Sequence, residues 1–342
     1  MKTIAAVKPN QVEIIEVAKP KPGPYQALVK NKVAAICNAT DRKLIEGHFP
    51  GVNQFPLVLG HEGVGIIEEI GTKVRNFNIG DHAISGMLGD YGDPTLHCGW
   101  GGFSEYVLVH DHDAMVADGV ADAEHGWFDS CEVQRVVDPD IPLAEAALLC
   151  TWREVFAAFS DFHLKANDNI LIFGAGPVGL SFVKFGRLLG LNWIGVVEPN
   201  QSRHTKILEM GASQVMLPDA VPALKDERTP FDAVIDAVGN EQIVNMSLPL
   251  VKLGGSICIY GVLANDTITV HKNLGPYNFN LFVHQWPTRF YEREAQKPIC
   301  DWIRQGKLRA DEFVTHTFPF EQINDALIIS KTGTVIKCLL TY

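Results

Sequence analysis

The sequence predicts an α/β fold: a doubly wound parallel sheet preceded in the chain by a β-rich region. Three observations carry this. From residue 169 to about 263, short apolar runs alternate with helical patterns. The first run, 170–173, enters a glycine-rich turn in which Gly174, Gly176 and Gly179 have the spacing G-x-G-x-x-G. Residues 1–109 instead hold brief apolar runs punctuated by Gly, Pro and Asp.

The opening MKTIAAVKPNQVEII reads as a strand pair and lacks the apolar core of a signal peptide. Strand-like runs follow at 27–33, 63–70, 83–87 and 103–109. Residues 110–141 break that rhythm. They are acidic, lack long apolar runs and read as an inserted loop or lid. They carry His110, His112, Asp113, His125, Asp129 and Cys131, residue types that bind metals, but a solvated lid or an oligomer contact is the simpler reading. Residues 143–164 have helical spacing. Strands are expected at 170–173, Trp193–Val197, 214–217, 233–237 and 256–260, with a helix at 180–189 after the glycine turn. The remainder is mixed, with helices near 293–305 and 320–330 and a closing strand at 335–340.

The glycine turn carries the first functional signal. Gly174 allows a tight turn, Gly176 lets backbone approach a pyrophosphate, and Gly179 lets helix pack on strand. Val178 and the helix N-terminus beyond it offer free N–H groups to phosphate, and Pro177, near the helix start, costs little because its missing N–H is not needed there. Glu198 ends the next strand, 198 − 174 = 24 residues past the first glycine, near the ~20 expected of an acid that binds a ribose. A carboxylate there accepts from both ribose hydroxyls and repels a 2′-phosphate, which favours NAD(H) over NADP(H). Arg203, close by, softens that preference.

The 342-residue chain is long enough for two domains. Its 46% hydrophobic and 20% charged content is that of a soluble globular protein. A net charge of −11 argues against nucleic-acid and anionic-membrane partners, and no apolar stretch is long enough to span a bilayer. Seven scattered cysteines do not form a disulfide framework, so a cytoplasmic, reducing setting is expected.

Several stretches together resemble one family: 37–41 (CNATD), 55–65 (FPLVLGHEGVG), 80–81 (GD), 102–107 (GFSEYV), the glycine turn and 254–261 (GGSICIYG). Over nearly its full length the chain resembles the medium-chain dehydrogenase/reductase superfamily, in its zinc-dependent alcohol and polyol (sorbitol-type) branch. The resemblance implies a β-rich GroES-like catalytic domain from residues 1–145 and 290–342, and a Rossmann domain from 146–289. It implies one catalytic zinc held by Cys37, His61 and Cys150, with Glu62 as an exchanging or outer ligand. Cys37 departs from the pattern by standing four residues before Asp41 rather than three. Either a one-residue bulge keeps Cys37 on the metal, or Asn38 takes its place.

By the same resemblance, Thr40 takes the alcohol proton, and Asp41 orients the site. Lys43 stands where many relatives relay the proton through histidine. Gly261 and Lys337 fall on cofactor positions, Lys337 contacting a cofactor phosphate. Only Cys98 lies where the family's structural zinc lobe would be, so no structural zinc is expected. Trp100, Trp127, Trp152, Phe156 and Trp286, with Arg153, Glu154 and Arg289, are candidates to wall a substrate pocket or to be core. The implied function is hydride transfer between a secondary alcohol, polyol or sugar and NAD(H), in a homodimer or homotetramer. The alternatives are a zinc-free enone or quinone reductase of the same superfamily, and a non-catalytic dinucleotide-binding protein.

Overall fold

The computed structural model describes residues 1–224, 230–263, 265 and 267–342. The chain forms two compact units: Met1–Thr151 with Gln296–Tyr342, and Trp152–Ala295.

The first unit is a β-rich body. It begins with β1 (Lys2–Lys8), β2 (Gln11–Glu16), β3 (Gln26–Ile36), α1 (Thr40–Glu46), β4 (Leu57–Val58) and β5 (Gly63–Ile70). It continues through β6 (His82–Ile84), β7 (His97–Cys98), β8 (Tyr106–His110), α2 (His112–Ala117), β9 (Val136–Val137) and the first half of α3 (Leu143–Asp161), which runs on into the second unit. The second unit holds β10 (Asn169–Phe173), α4 (Pro177–Leu188), β11 (Trp193–Val197), α5 (His204–Glu209), β12 (Gln214–Met216), β13 (Phe231–Asp236), α6 (Glu241–Ser247), β14 (Val251–Ile259) and β15 (Asn280–Val283). After α7 (Arg289–Arg304), the chain closes on β16 (Val314–Pro319), α8 (Ile323–Ser330) and β17 (Lys337–Thr341).

The sheet of the second unit has the order β12-β11-β10-β13-β14-β15, with every pairing parallel. Strand β10 lies inside it, so both faces of Ile170, Leu171 and Ile172 are fully buried. This explains an unbroken apolar run where a half-exposed strand would alternate. Helix α4 starts at Pro177, three residues before the expected start. Gly176 caps it in an extended conformation, and the fixed φ of proline suits the first turn.

The first unit holds a sheet of order β16-β17-β3-β5-β6-β9, with β8 also on β3, and a second sheet of order β2-β1-β4-β7. Ile4, Ile36, Leu57, Phe103 and Leu340 share one core between them. The segment 110–141, expected as an inserted loop or lid, is anchored to the β-rich body. Its β9 pairs with β6. Ala114, Met115, Cys131, Val133 and Val137 are buried. The buried Asp111 carboxylate accepts from the backbone N–H groups of Arg75, Asn76 and Ala114 at 2.7, 2.9 and 3.1 Å. Buried apolar residues here are spaced one or two at a time, so the sequence shows no long run.

Candidate metal and dinucleotide sites

Strand order assembles the metal candidates. β17, β3 and β5 are neighbours, with Cys338 opposite Ile36 and Ala34 opposite Gly63. Cys37 follows β3, Lys337 opens β17, and His61 and Glu62 immediately precede β5. The pairing therefore gathers these four residues at one end of the sheet. Gly60 fixes the approach to His61. Its φ is +101°, and an added Cβ would lie 2.3 Å from the Phe103 nitrogen, so only glycine fits.

Ligand atoms of Cys37, His61 and Glu62 all lie within 4.8 Å of one another. The unusual spacing in CNATD is absorbed by a closed turn. The Asp41 N–H donates to the Cys37 carbonyl at 2.9 Å, and the Cys37 N–H donates to Asp41 Oδ2 at 2.8 Å. Cys37 thus stays in the cluster. Asp41, 1% exposed, also faces His61 Nδ1 at 3.5 Å, so one carboxylate orients two candidate ligands. Cys150 lies outside the three-residue group, its thiol directed at the His61 carbonyl oxygen at 3.8 Å. Thr40, at the start of α1, is buried, and Lys43 on the same helix is partly buried. Burial, then Arg42, lowers the Lys43 pKa against the opposing charge of Cys37.

Lys337, expected on a cofactor phosphate, is 1% exposed and paired with Glu62. Its Nζ pairs with Glu62 Oε2 at 2.6 Å and donates to Thr151 Oγ1 at 3.1 Å. Thr151 in turn donates to Glu62 Oε1 at 3.1 Å. Burial works to lower the Lys337 pKa, but Glu62 and the two cysteines outweigh it and raise it. Thr151 was not singled out from the sequence. Its position directly after Cys150 on α3 was the available signal.

The electrostatics suit a cation. Burial pushes Asp41 up to about 6, against the opposing pull of His61 and the Cys37 N–H. Burial lowers His61, but a hydrogen bond to Cys37 and the charges of Asp41, Cys37 and Glu62 outweigh it and hold it at about 10. His61 Nδ1 and Asp41 Oδ1 are buried and have no hydrogen-bond partner. A thiol, an imidazole and a carboxylate, with a second thiol nearby, form a donor set for zinc rather than for magnesium or calcium.

The second unit holds the dinucleotide candidates. A Cβ on Gly179 would lie 1.9 Å from the Gly174 carbonyl oxygen, so helix and turn can approach only through glycine. Gly179→Ala should cost about 1–3 kcal/mol through overpacking, read as a lower unfolding midpoint. Gly261 makes a similar approach, its Cβ position lying 2.1 Å from the Gly239 nitrogen. Glu198, 5% exposed, accepts from the Ala175 N–H of the turn and from the Asn200 N–H, both at 2.8 Å. Arg203 reaches the same residue from the other side, donating to the Ala175 carbonyl at 3.4 Å.

Other candidates are core or surface. Arg153 is fully buried, 3.9 Å from Glu292, to which Arg289 also donates at 2.8 Å. Both are therefore committed to a carboxylate. Glu154 is partly buried on α3. Trp152 is buried, Phe156 packs edge-on against Phe185, Trp127 donates to His112, and Trp286 is exposed. Trp100 stands against a metal candidate, its ring 5.5 Å from that of His61.

Two family models match the chain: the alcohol dehydrogenase GroES-like domain over residues 23–118, and the zinc-binding dehydrogenase domain over 177–286. The chain belongs to the medium-chain dehydrogenase/reductase superfamily. A putative alcohol dehydrogenase D of Mycobacterium tuberculosis is 28% identical over the whole of both chains. Among solved structures, this dehydrogenase chain superposes on the alcohol dehydrogenase rspB of Escherichia coli CFT073, complexed with NADH. The TM-score is 0.81 and the identity 22%, with 100% of this chain and 99% of that one covered. A putative zinc-binding dehydrogenase of Sinorhizobium meliloti 1021 bound to NADP gives a TM-score of 0.79 at 22% identity, covering 100% and 99%. The match of a GroES-like and a Rossmann-type domain agrees with the two units and their sheets.

Proposed function

We propose that this dehydrogenase transfers a hydride between a secondary alcohol, polyol or sugar and NAD(H), with one zinc ion held by Cys37, His61 and Cys150. The convergence of Cys37, His61 and Glu62 carries the reading. Lys337 and Thr151 already hold both oxygens of Glu62, so Cys150 is the third ligand and Glu62 an outer partner. When bound, zinc supplies a Lewis acid that lowers the pKa of the substrate hydroxyl.

The protein's own groups do the rest. Asp41 holds the Cys37 backbone and faces the His61 ring. The Thr40 hydroxyl, which both donates and accepts, takes the alcohol proton. Lys43, partly buried on the same helix and with its pKa lowered by burial, is the candidate for the next step of the relay. Glu198 keeps lone pairs free to accept from ribose hydroxyls, while the glycine turn offers its N–H groups to the pyrophosphate. The hydride acceptor is the cofactor's own chemistry.

Two outcomes follow. Glu198→Ser removes the charge that repels a 2′-phosphate and leaves Arg203 in place. The ratio of kcat/KM for NAD to that for NADP should fall by at least about tenfold, or 1.4 kcal/mol. Zinc and a proton compete for His61, whose pKa is about 10 without metal. Zinc affinity should therefore rise with pH through the neutral range, by at most about tenfold per unit from this one proton. Competition titration with a chelator at several pH values measures it.

No helix among the described residues is long and apolar enough to cross a membrane. No disulfide joins the seven cysteines. Strand β15 ends its sheet with Leu281 and Val283 exposed. Such an apolar edge supports pairing with a second copy, and light scattering tests for a dimer or tetramer. The reading as a whole is tested by screening alcohols, polyols and sugars with NAD and NADP while metal is quantified.

A further inference from the structure

A cavity of about 840 Å³ lies wholly within the first unit. Its walls are more apolar than polar: Met87, Leu88, Tyr91, Leu108 and Trp100 line it from the β-rich body, along with the polar Gln26 and Ser130. Phe128, from the segment 110–141, lines it too and is 39% exposed. This is the size of a site for a drug-sized molecule, far larger than a two- or three-carbon alcohol needs.

Trp100 borders both the cavity and one metal candidate. It lines the cavity, and its ring lies 5.5 Å from that of His61 and 5.4 Å from that of Phe49. Its φ of +68° is rare for a bulky residue and persists only where the surroundings enforce it. The charges bordering the cavity cancel, Lys19 and Lys21 against Asp90 and Asp129. Burial lowers the pKa of His110, which also lines the cavity, against the opposing hydrogen bond to Gln134. An uncharged occupant fits such a border. Burying an apolar ring on the walls gains about 25 cal/mol per Å² removed from water.

We propose that this cavity binds an uncharged aromatic or alicyclic group, the part of the alcohol substrate remote from its hydroxyl. The proposal rests on the reading above and narrows it to bulky apolar alcohols over polyols. It gives the segment 110–141 a role, since Phe128 is one wall.

Gly89 allows a direct test. It lines the cavity, a Cβ added there meets nothing within 4 Å, and its φ is not in the left-handed region. Gly89→Leu therefore places a side chain in open space near the cavity with little cost to the fold. The zinc-loaded protein is titrated with the uncharged fluorophore N-phenyl-1-naphthylamine and assayed with NAD on 1-phenylethanol and 2-propanol. In Gly89→Leu the fluorophore Kd should rise about tenfold, and so should the ratio of KM for 1-phenylethanol to KM for 2-propanol. Phe128→Ala, an exposed truncation, should weaken the fluorophore in the same direction. Unchanged fluorophore binding in both variants, or equal shifts of the two KM values, would overturn the proposal. If the wild type oxidises no alcohol, the hydride-transfer reading fails. Fluorophore binding that the variants weaken then still supports an apolar site, and binding that they leave intact overturns it.

Discussion

Replacing His61 with Ala should abolish zinc binding and lower kcat by about three orders of magnitude or more, while NADH still binds. His61 is the one imidazole in the cluster, and its partners there are anionic or thiol groups. Losing it removes a ligand and leaves Asp41 and Glu62 facing each other without the ring between them. Lewis-acid stabilisation of the developing alkoxide is worth several kcal/mol, and each 1.36 kcal/mol is about tenfold in rate. NADH binding persists because Gly174, Glu198 and Arg203 belong to a separate compact unit with its own core. Metal analysis, steady-state assay and NADH fluorescence titration of one preparation check all three parts.

Lys337→Met should be the most destabilising single change at the site. Glu62 is 2% exposed and Lys337 1%. Removing the ammonium leaves a buried carboxylate with Thr151 and, at 3.7 Å, the His61 ring to answer it. Breaking a buried pair by deleting one partner costs about 3–5 kcal/mol, chiefly because the other charge is stranded. Glu62→Gln added to Lys337→Met removes that stranded charge, so the double variant should recover much of the loss. Urea unfolding of both variants and the wild type reads the difference. Equal stability of the single and double variants would show that the pair is not the source.

The fold class was legible because its strongest signals are local. A strand covered on both faces must be apolar throughout, and β10 is. The glycine turn is a spacing set by backbone approach, which sequence displays directly. What escaped was long-range. Lys337 reads as a basic residue in a closing strand, and only the pairing of Cys338 with Ile36 reveals that it sits over Glu62. The segment 110–141 read as a lid because its buried residues come one or two at a time, each meeting the body separately. The odd spacing at Cys37 left two alternatives open, since a turn closed by Asp41 cannot be told from a displaced cysteine without coordinates. Thr151 was passed over because one hydroxyl beside a cysteine carries no pattern of its own.

The central claim is that the Cys37, His61 and Cys150 group holds a zinc ion on which alcohol oxidation depends. The most direct measurement strips the purified protein with a chelator, then titrates zinc back while following NAD reduction by an alcohol substrate. The account predicts that activity vanishes on stripping and returns in proportion to zinc, saturating at one ion per chain. Undiminished turnover in the stripped protein would contradict it and favour the zinc-free reductase chemistry of the same superfamily.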